Sequence, residues 1–178
     1  MNRDRAFYRA GVVVLCGILL FLNGCGDKTQ TYNILLECDD VVAKKSVRVD
    51  LIPVSKIDLP EWEAYPLSKY WQPQNSKRAG AEKITKNFGF GQPKSYVLKA
   101  SDPDIKAKWR DWLNRRVTHI VVIADLDSVT DDAAGAADAR RKIIPLNAKS
   151  WPDTSTLRIL VQDGGIRVDA LEKLPKST

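Results

Sequence analysis

The chain has 178 residues and a formal net charge of +6, from 28 Lys and Arg against 22 Asp and Glu. Its bases fall in short scattered groups, Lys44-Lys45, Lys77-Arg78, Arg115-Arg116 and Arg140-Arg141-Lys142. This argues against a nucleic-acid partner and reads the groups as solvated faces, with attraction to anionic lipid headgroups the one functional use open to them.

Arg3, Arg5 and Arg9 precede an apolar run from Ala10 to Leu22, and Gly24 supplies the small residue that a signal peptidase needs. The run falls short of the roughly 20 residues of a spanning helix, so residues 1–24 read as a signal peptide. Leu22-Asn23-Gly24-Cys25 resembles the lipobox of bacterial lipoproteins, with Leu at −3, a small residue at −1 and Cys at +1; Asn23 at −2 departs from it. The resemblance implies that Cys25 becomes a diacylglyceryl cysteine at the mature N-terminus. With Gly26 rather than Asp after it, it also implies an outer-membrane address on the periplasmic face.

Cleavage removes three arginines and one aspartate, and so lowers the net charge of +6 by two. What remains is about one domain, able to bury roughly 70% of its unfolded surface. Cys16 leaves with the signal and Cys25 is lipidated, so Cys38 has no intramolecular disulfide partner. Residues 25–30 are the lipidated Cys and a short tether, and five extended residues reach at most about 18 Å. The domain, residues 31–178, is expected at the membrane surface.

Thr31 to Cys38 reads as a strand with Tyr32, Ile34, Leu36 and Cys38 on one face, which makes Cys38 a small core hydrophobe. In Ser46 to Val54, Val47, Val49 and Leu51 alternate with Arg48 and Asp50, a half-buried strand, and Pro53 suggests an edge or a strand end. Ser55 to Gly91 is mixed: Trp62, Tyr65, Tyr70 and Trp71 crowd a stretch broken by Pro60, Pro66 and Pro73, with one short helical turn over Leu67 to Trp71. Lys83 to Phe90 and Lys94 to Ala100 read as strands around a turn at Gly89 to Pro93.

The period then changes. Ser101 is placed to cap a helix over Asp102 to Arg116, in which Ile105, Trp109, Trp112 and Leu113 share one apolar face. Thr118 to Leu126 is apolar on both faces, as a central strand should be. Asp127 to Ala139 is a small, acidic loop, and Arg140 to Asn147 returns as a strand. Thr156 to Gln162 and Ile166 to Leu171 flank Asp163-Gly164-Gly165, a tight hairpin whose turn needs positive φ. Seven to eight short strands and one amphipathic helix predict an all-β fold, a two-sheet β-sandwich.

Chemistry is faint. His119 is the only histidine, at the start of the most buried strand and without a nucleophile motif around it. Zinc would need more His or Cys than remain. The spacing of Asp125, Asp127, Asp131 and Asp132 misses a calcium loop. The pairs Glu61 with Glu63 and Asp102 with Asp104 stand in no context that singles them out as glycosidase carboxylates. No catalytic residue, metal or small-molecule substrate is therefore expected, and no cofactor beyond the covalent lipid on Cys25.

Ser46-Val-Arg-Val-Asp-Leu51, His119 to Asp127, Arg140-Arg-Lys-Ile-Ile-Pro-Leu146 and Leu157 to Val168 together resemble the outer-membrane lipoproteins of type VI secretion systems, the TssJ family. The stretch Trp62 to Trp71 and the helix over Asp102 to Arg116 lie outside the pattern. The resemblance implies a non-catalytic docking lipoprotein whose partner is the periplasmic domain of an IcmF-like inner-membrane protein. Recognition on such a scaffold concentrates in loops at one end, and the candidates are the turn Asp39 to Lys45 and the acidic loop, which would offer Asp127, Asp131, Asp132 and Asp138 to a basic partner. A carbohydrate- or peptidoglycan-binding sandwich, stacking sugars on Trp62, Tyr65, Tyr70, Trp71 or Trp151, is the other reading.

Overall fold

The computed structural model describes residues 28–172, and the signal sequence and Cys25 lie outside them. Its strands are β1 (Asn33–Cys38), β2 (Val47–Ser55), β3 (Ile84–Phe88), β4 (Ser95–Leu98), β5 (Val117–Ala124), β6 (Arg141–Pro145), β7 (Thr156–Gln162) and β8 (Gly165–Leu171). They form two four-stranded sheets, ordered β4-β1-β7-β8 and β3-β2-β5-β6. All pairs are antiparallel except β1 with β7, where Ile34 stands opposite Leu157 and Leu36 opposite Ile159. The fold is mainly β, a two-sheet sandwich, as the alternation predicts.

Between the sheets the inward residues of both make one core, with Ile34, Leu36, Val49, Leu51, Val122 and Ile159 at most 1% exposed. Cys38 packs at its margin, half-buried, and burial followed by the Asp39 carboxylate pushes its thiol pKa up. β2 is an inner strand, yet Pro53 is tolerated. Its pairing with β3 stops at Leu51, and the ladder with β5 shifts register between Val54 and Ser55.

The mixed segment supplies more helix than its sequence predicts. It folds into α1 (Leu59–Ala64), α2 (Leu67–Tyr70) and α3 (Ser76–Gly80) and lies on the outer face of the second sheet. There Trp62, Leu67 and Tyr70 pack on Ile52, Val54, Val121 and Ile123, a second core that explains why β5 is apolar on both sides. Asp50, expected on an open face, is fully buried beneath this layer and accepts from the Tyr70 hydroxyl (3.0 Å), Arg78 Nε (2.8 Å) and Thr85 Oγ1 (2.6 Å). Burial and the Asp50 charge push the Tyr70 hydroxyl pKa far above its usual value.

Helix α4 (Pro103–Asn114) joins β4 to β5 and closes one end of the sandwich. Trp109 and Trp112, each 2% exposed, fill the gap between the sheets, and Trp112 Nε1 donates to Glu82 at 2.9 Å. The helix starts one residue later than Ser101 suggests: Asp102 holds the N-cap position, without a side-chain capping bond. Arg116, at φ 57°, ends it.

The fold begins at Thr29 rather than Thr31. Thr29 bridges to Asn147, its Oγ1 donates to Val117 O at 2.9 Å, and Gln30 N–H donates to Leu146 O at 2.7 Å. No helix among the described residues is long and apolar enough to cross a membrane.

Candidate docking surface

Strand direction sorts the loops. β1, β3, β5 and β7 run away from the end where Thr29 enters, and β2, β4, β6 and β8 run back toward it. The turn 39–46, the turn 89–94, the acidic loop 125–140 and the β7–β8 hairpin therefore meet at the opposite, hairpin end.

They brace one another there. Lys45 pairs with Asp163, and Ser128 donates to the Asp163 carbonyl. Ile166 N–H donates to Ala139 O (3.1 Å), Arg48 pairs with Asp125 (2.6 Å) and Lys94 with Asp40 (2.7 Å). Asp39 folds the first turn back by accepting from the N–H groups of Val41 (3.1 Å) and Val42 (2.8 Å). Two glycines are demanded by close approach. A Cβ on Gly89 (φ +147°) would stand 2.7 Å from Lys45 O, and one on Gly165 (φ +142°) 2.9 Å from Ala139 O.

The four candidate aspartates are not equivalent. Asp127, Asp131 and Asp132 are exposed, and of the three only Asp132 has its carboxylate engaged. Asp132 accepts from the Ser68 N–H (2.7 Å) and hydroxyl and from Arg140 Nη2 (2.6 Å), and these bonds, the Ser68 hydroxyl first, hold its pKa below the usual carboxylate range. Asp138 has a fully buried side chain that receives Arg140 through Nε (3.0 Å) and Nη2 (2.8 Å). Burial pushes its carboxyl up, but the Arg140 side-chain and backbone bonds and the Ala133 N–H outweigh this, and the net pKa is lowered. So Asp127 and Asp131 face outward, while Asp132 and Asp138 hold the loop to the body.

Arg140 and Arg141, expected as a solvated face, are 6% and 2% exposed. The Arg141 guanidinium donates to four backbone carbonyls, those of Trp62 (2.7 Å), Tyr65 (2.9 Å), Gly135 (2.9 Å) and Ala133 (3.2 Å). It thereby fastens the acidic loop to the helical layer. A signal for it was present: Arg141 and Ile143 share a strand face at period two, the face that packs on the helices.

The exposed apolar residues of this end are Phe90, 99% exposed, and Val41, 48% exposed, on neighbouring turns. A cleft of about 490 Å³ between the hairpin and the acidic loop is lined by Asp39, Lys142, Asp163 and Arg167 among others. The end thus offers apolar side chains beside free carboxylates, on loops held fast by ion pairs.

The other candidates are placed differently. His119 is half-buried, its Nδ1 shares a hydrogen bond with Thr118 Oγ1 (2.9 Å), and burial lowers its pKa. Asp125 is engaged by Arg48, and no group of three or more His, Cys, Asp or Glu among the described residues could hold a metal ion. The sugar platforms are buried or engaged: Trp62 and Tyr70 are buried, Tyr65 is half-buried with its hydroxyl accepting from Asn75 Nδ2 (2.7 Å), the guanidinium groups of Arg48 and Arg78 lie 4.8 and 4.5 Å from the centre of the half-buried Trp71 ring, and Lys77 Nζ lies 4.4 Å from that of Trp62. Trp151 is half-buried with its Nε1 donating to Pro145 O at 2.6 Å.

No family model and no curated protein matches the chain. Among solved structures it is similar to Lip of Serratia marcescens, described as a membrane-bound component of the type VI secretion system, at 16% identity and TM-score 0.43 over 78% of this chain and 96% of that one. It is similar also to the type VI secretion lipoprotein TssJ1 of Pseudomonas aeruginosa, at 12% identity and TM-score 0.48 over 83% and 99%. A structure described as the C-terminal domain of TssM from EAEC is similar at 15% identity and TM-score 0.45 over 78% and 99%. These are likenesses of chain course, and no residue role passes with them.

Proposed function

We propose that the chain is a non-catalytic docking lipoprotein of a type VI-like secretion envelope complex. Residues 1–24 are its signal peptide, and Cys25 anchors residues 31–178 to the periplasmic face of the outer membrane. The hairpin end receives the periplasmic domain of an IcmF-like inner-membrane protein. The observation that carries the reading is the separation of the two ends. Four residues from Cys25 to Thr29 span at most about 14 Å, less than the roughly 30 Å length of the nine-residue strand β2. An anchor of that reach keeps the Thr29 end at the membrane and turns the braced loops toward whatever crosses the periplasm.

Within the candidate set Asp127 and Asp131 make contact with the partner, while Asp132 and Asp138 position the loop that bears them. Exchanging Asp127 and Asp131 for Lys reverses rim charges, which slows association more than it speeds dissociation. Capture of the IcmF-like periplasmic domain by the double variant should lose about tenfold in on-rate at low salt, with the melting temperature unchanged. A wild-type protein that captures no such domain removes the reading, and unchanged capture by the double variant removes this loop from it.

A further inference from the structure

The Thr29 end carries a feature that docking at the hairpin end does not use. Helix α4 lies across it with both tryptophans turned inward, and its two flanks differ in charge. Lys106, Arg110 and Leu113, at i, i+4 and i+7, share one flank, whereas Asp104, Lys108 and Asp111 share the other. Beside the first runs a groove of about 680 Å³ with mostly apolar walls, lined by Thr31, Ala100, Lys106, Trp109, Arg110 and Leu113 among others. None of its described lining residues is a carboxylate. Lys106 and Arg110 have no salt-bridge partner among the described residues, while Arg115 on the far flank is taken by Glu82 and Asp111. Leu113, expected on the buried face, is 41% exposed. The chain also enters on this flank: Thr31 lines the groove, and Thr29 is bonded to Val117, just past the end of α4.

We propose that α4 is a membrane-facing cap. Its Lys106–Arg110–Leu113 flank rests on an anionic phospholipid leaflet, with the two cations at the phosphates and Leu113 and the groove wall at the acyl boundary. The inference rests on the lipid anchor at Cys25, which keeps Thr29, beside this flank, within about 14 Å of the leaflet. Charge selects the occupant, because the basic, apolar flank lies on the side of the anchor, and the flank where Asp104 and Asp111 offset Lys108 and Arg115 lies away from it. Near an anionic surface each cation is worth about fivefold in partitioning. The diacylglyceryl group carries two acyl chains and holds the protein to the leaflet by itself, so the basic flank sets how the domain is oriented on it.

The test uses full-length lipidated protein, in a Cys38→Ala background, in vesicles of phosphatidylethanolamine containing phosphatidylglycerol. A fluorophore on Leu113→Cys should be quenched by a headgroup-nitroxide lipid at least about threefold more than one on Phe90→Cys. The exchange of Lys106 and Arg110 for Glu should lower the Leu113 quenching at least about twofold while the protein still floats. A protein that does not float with the vesicles removes the anchor and this inference with it. Floating protein whose Leu113 probe is unquenched, or quenched equally after charge reversal, overturns the α4 contact and leaves the anchor standing. A probe shielded from lipid nitroxide and aqueous iodide alike shows the groove filled by protein, and overturns it too.

Discussion

The two ends of the sandwich are closed by different physics. At the Thr29 end two tryptophans of one helix are driven between the sheets, and the closure is apolar. At the hairpin end Val42, Phe88 and Leu126 also bury apolar surface, but there carboxylates, cations and backbone carbonyls tie four loops to one another. An apolar plug is indifferent to salt and pH. A net of ion pairs responds to both, and leaves chemically varied groups at the surface for a partner to read.

The largest expected effect breaks the plug. Trp112→Ala should cost about 3–5 kcal/mol, since it removes the largest fully buried side chain and leaves a cavity between sheets that cannot close on it. A denaturant melt of the whole domain reads this, and a loss under about 1 kcal/mol would show that α4 is an appendage rather than a closure.

Arg141→Ala should cost less, about 2–3 kcal/mol, by leaving buried carbonyls of Trp62 and Tyr65 without donors. Its signature is regional: amide exchange should speed up in α1, α2 and the acidic loop before it does in β1 or β7. Uniform acceleration would mean that the helical layer and the sandwich open as one.

The smallest effect comes from pH. The folded pKa values of Asp132 and Asp138 are depressed, so their contribution to stability is fully present above the ordinary carboxylate value near 3.9 and is lost as pH falls through the folded values. As pH falls below about 4 the acidic loop should loosen while the Trp109 and Trp112 closure keeps its near-ultraviolet signal. Loss of that signal in step with the loop's protection would contradict the separation of the two ends.

The parts legible in the sequence are those whose signal is local. Val47, Val49 and Leu51 alternate as a strand must, Asp163-Gly164 turns between β7 and β8, and the spacing of Ile105, Trp109 and Trp112 finds α4 to within a residue or two of its ends. Period-two reading names two faces but not how many are covered. That is why the sequence places Asp50 and Arg141 in solvent: the cover is a proline-broken stretch with no period of its own, and Arg141 meets it 79 residues away in the chain. For the acidic loop, composition located the segment but could not tell the outward Asp127 and Asp131 from the bracing Asp132 and Asp138. That division depends on Arg140 turning back into the loop, and on Ser68 reaching it from the helical layer.

The parallel pairing of β1 with β7 bears on the order in which such a chain is made. β1 is an inner strand of its sheet, and Asn33 lies 123 residues ahead of Thr156, which it meets across the ladder. A chain that emerges N-terminus first releases Ile34 and Leu36 long before Leu157 and Ile159 exist. Until then the edge of β1 that β7 will occupy is open. Contacts so distant in sequence are slow to form, and an unpaired inner edge invites mispairing while it waits. Assembly of this sandwich is therefore gated by completion of its last hairpin, and the first strand needs shielding until that hairpin arrives.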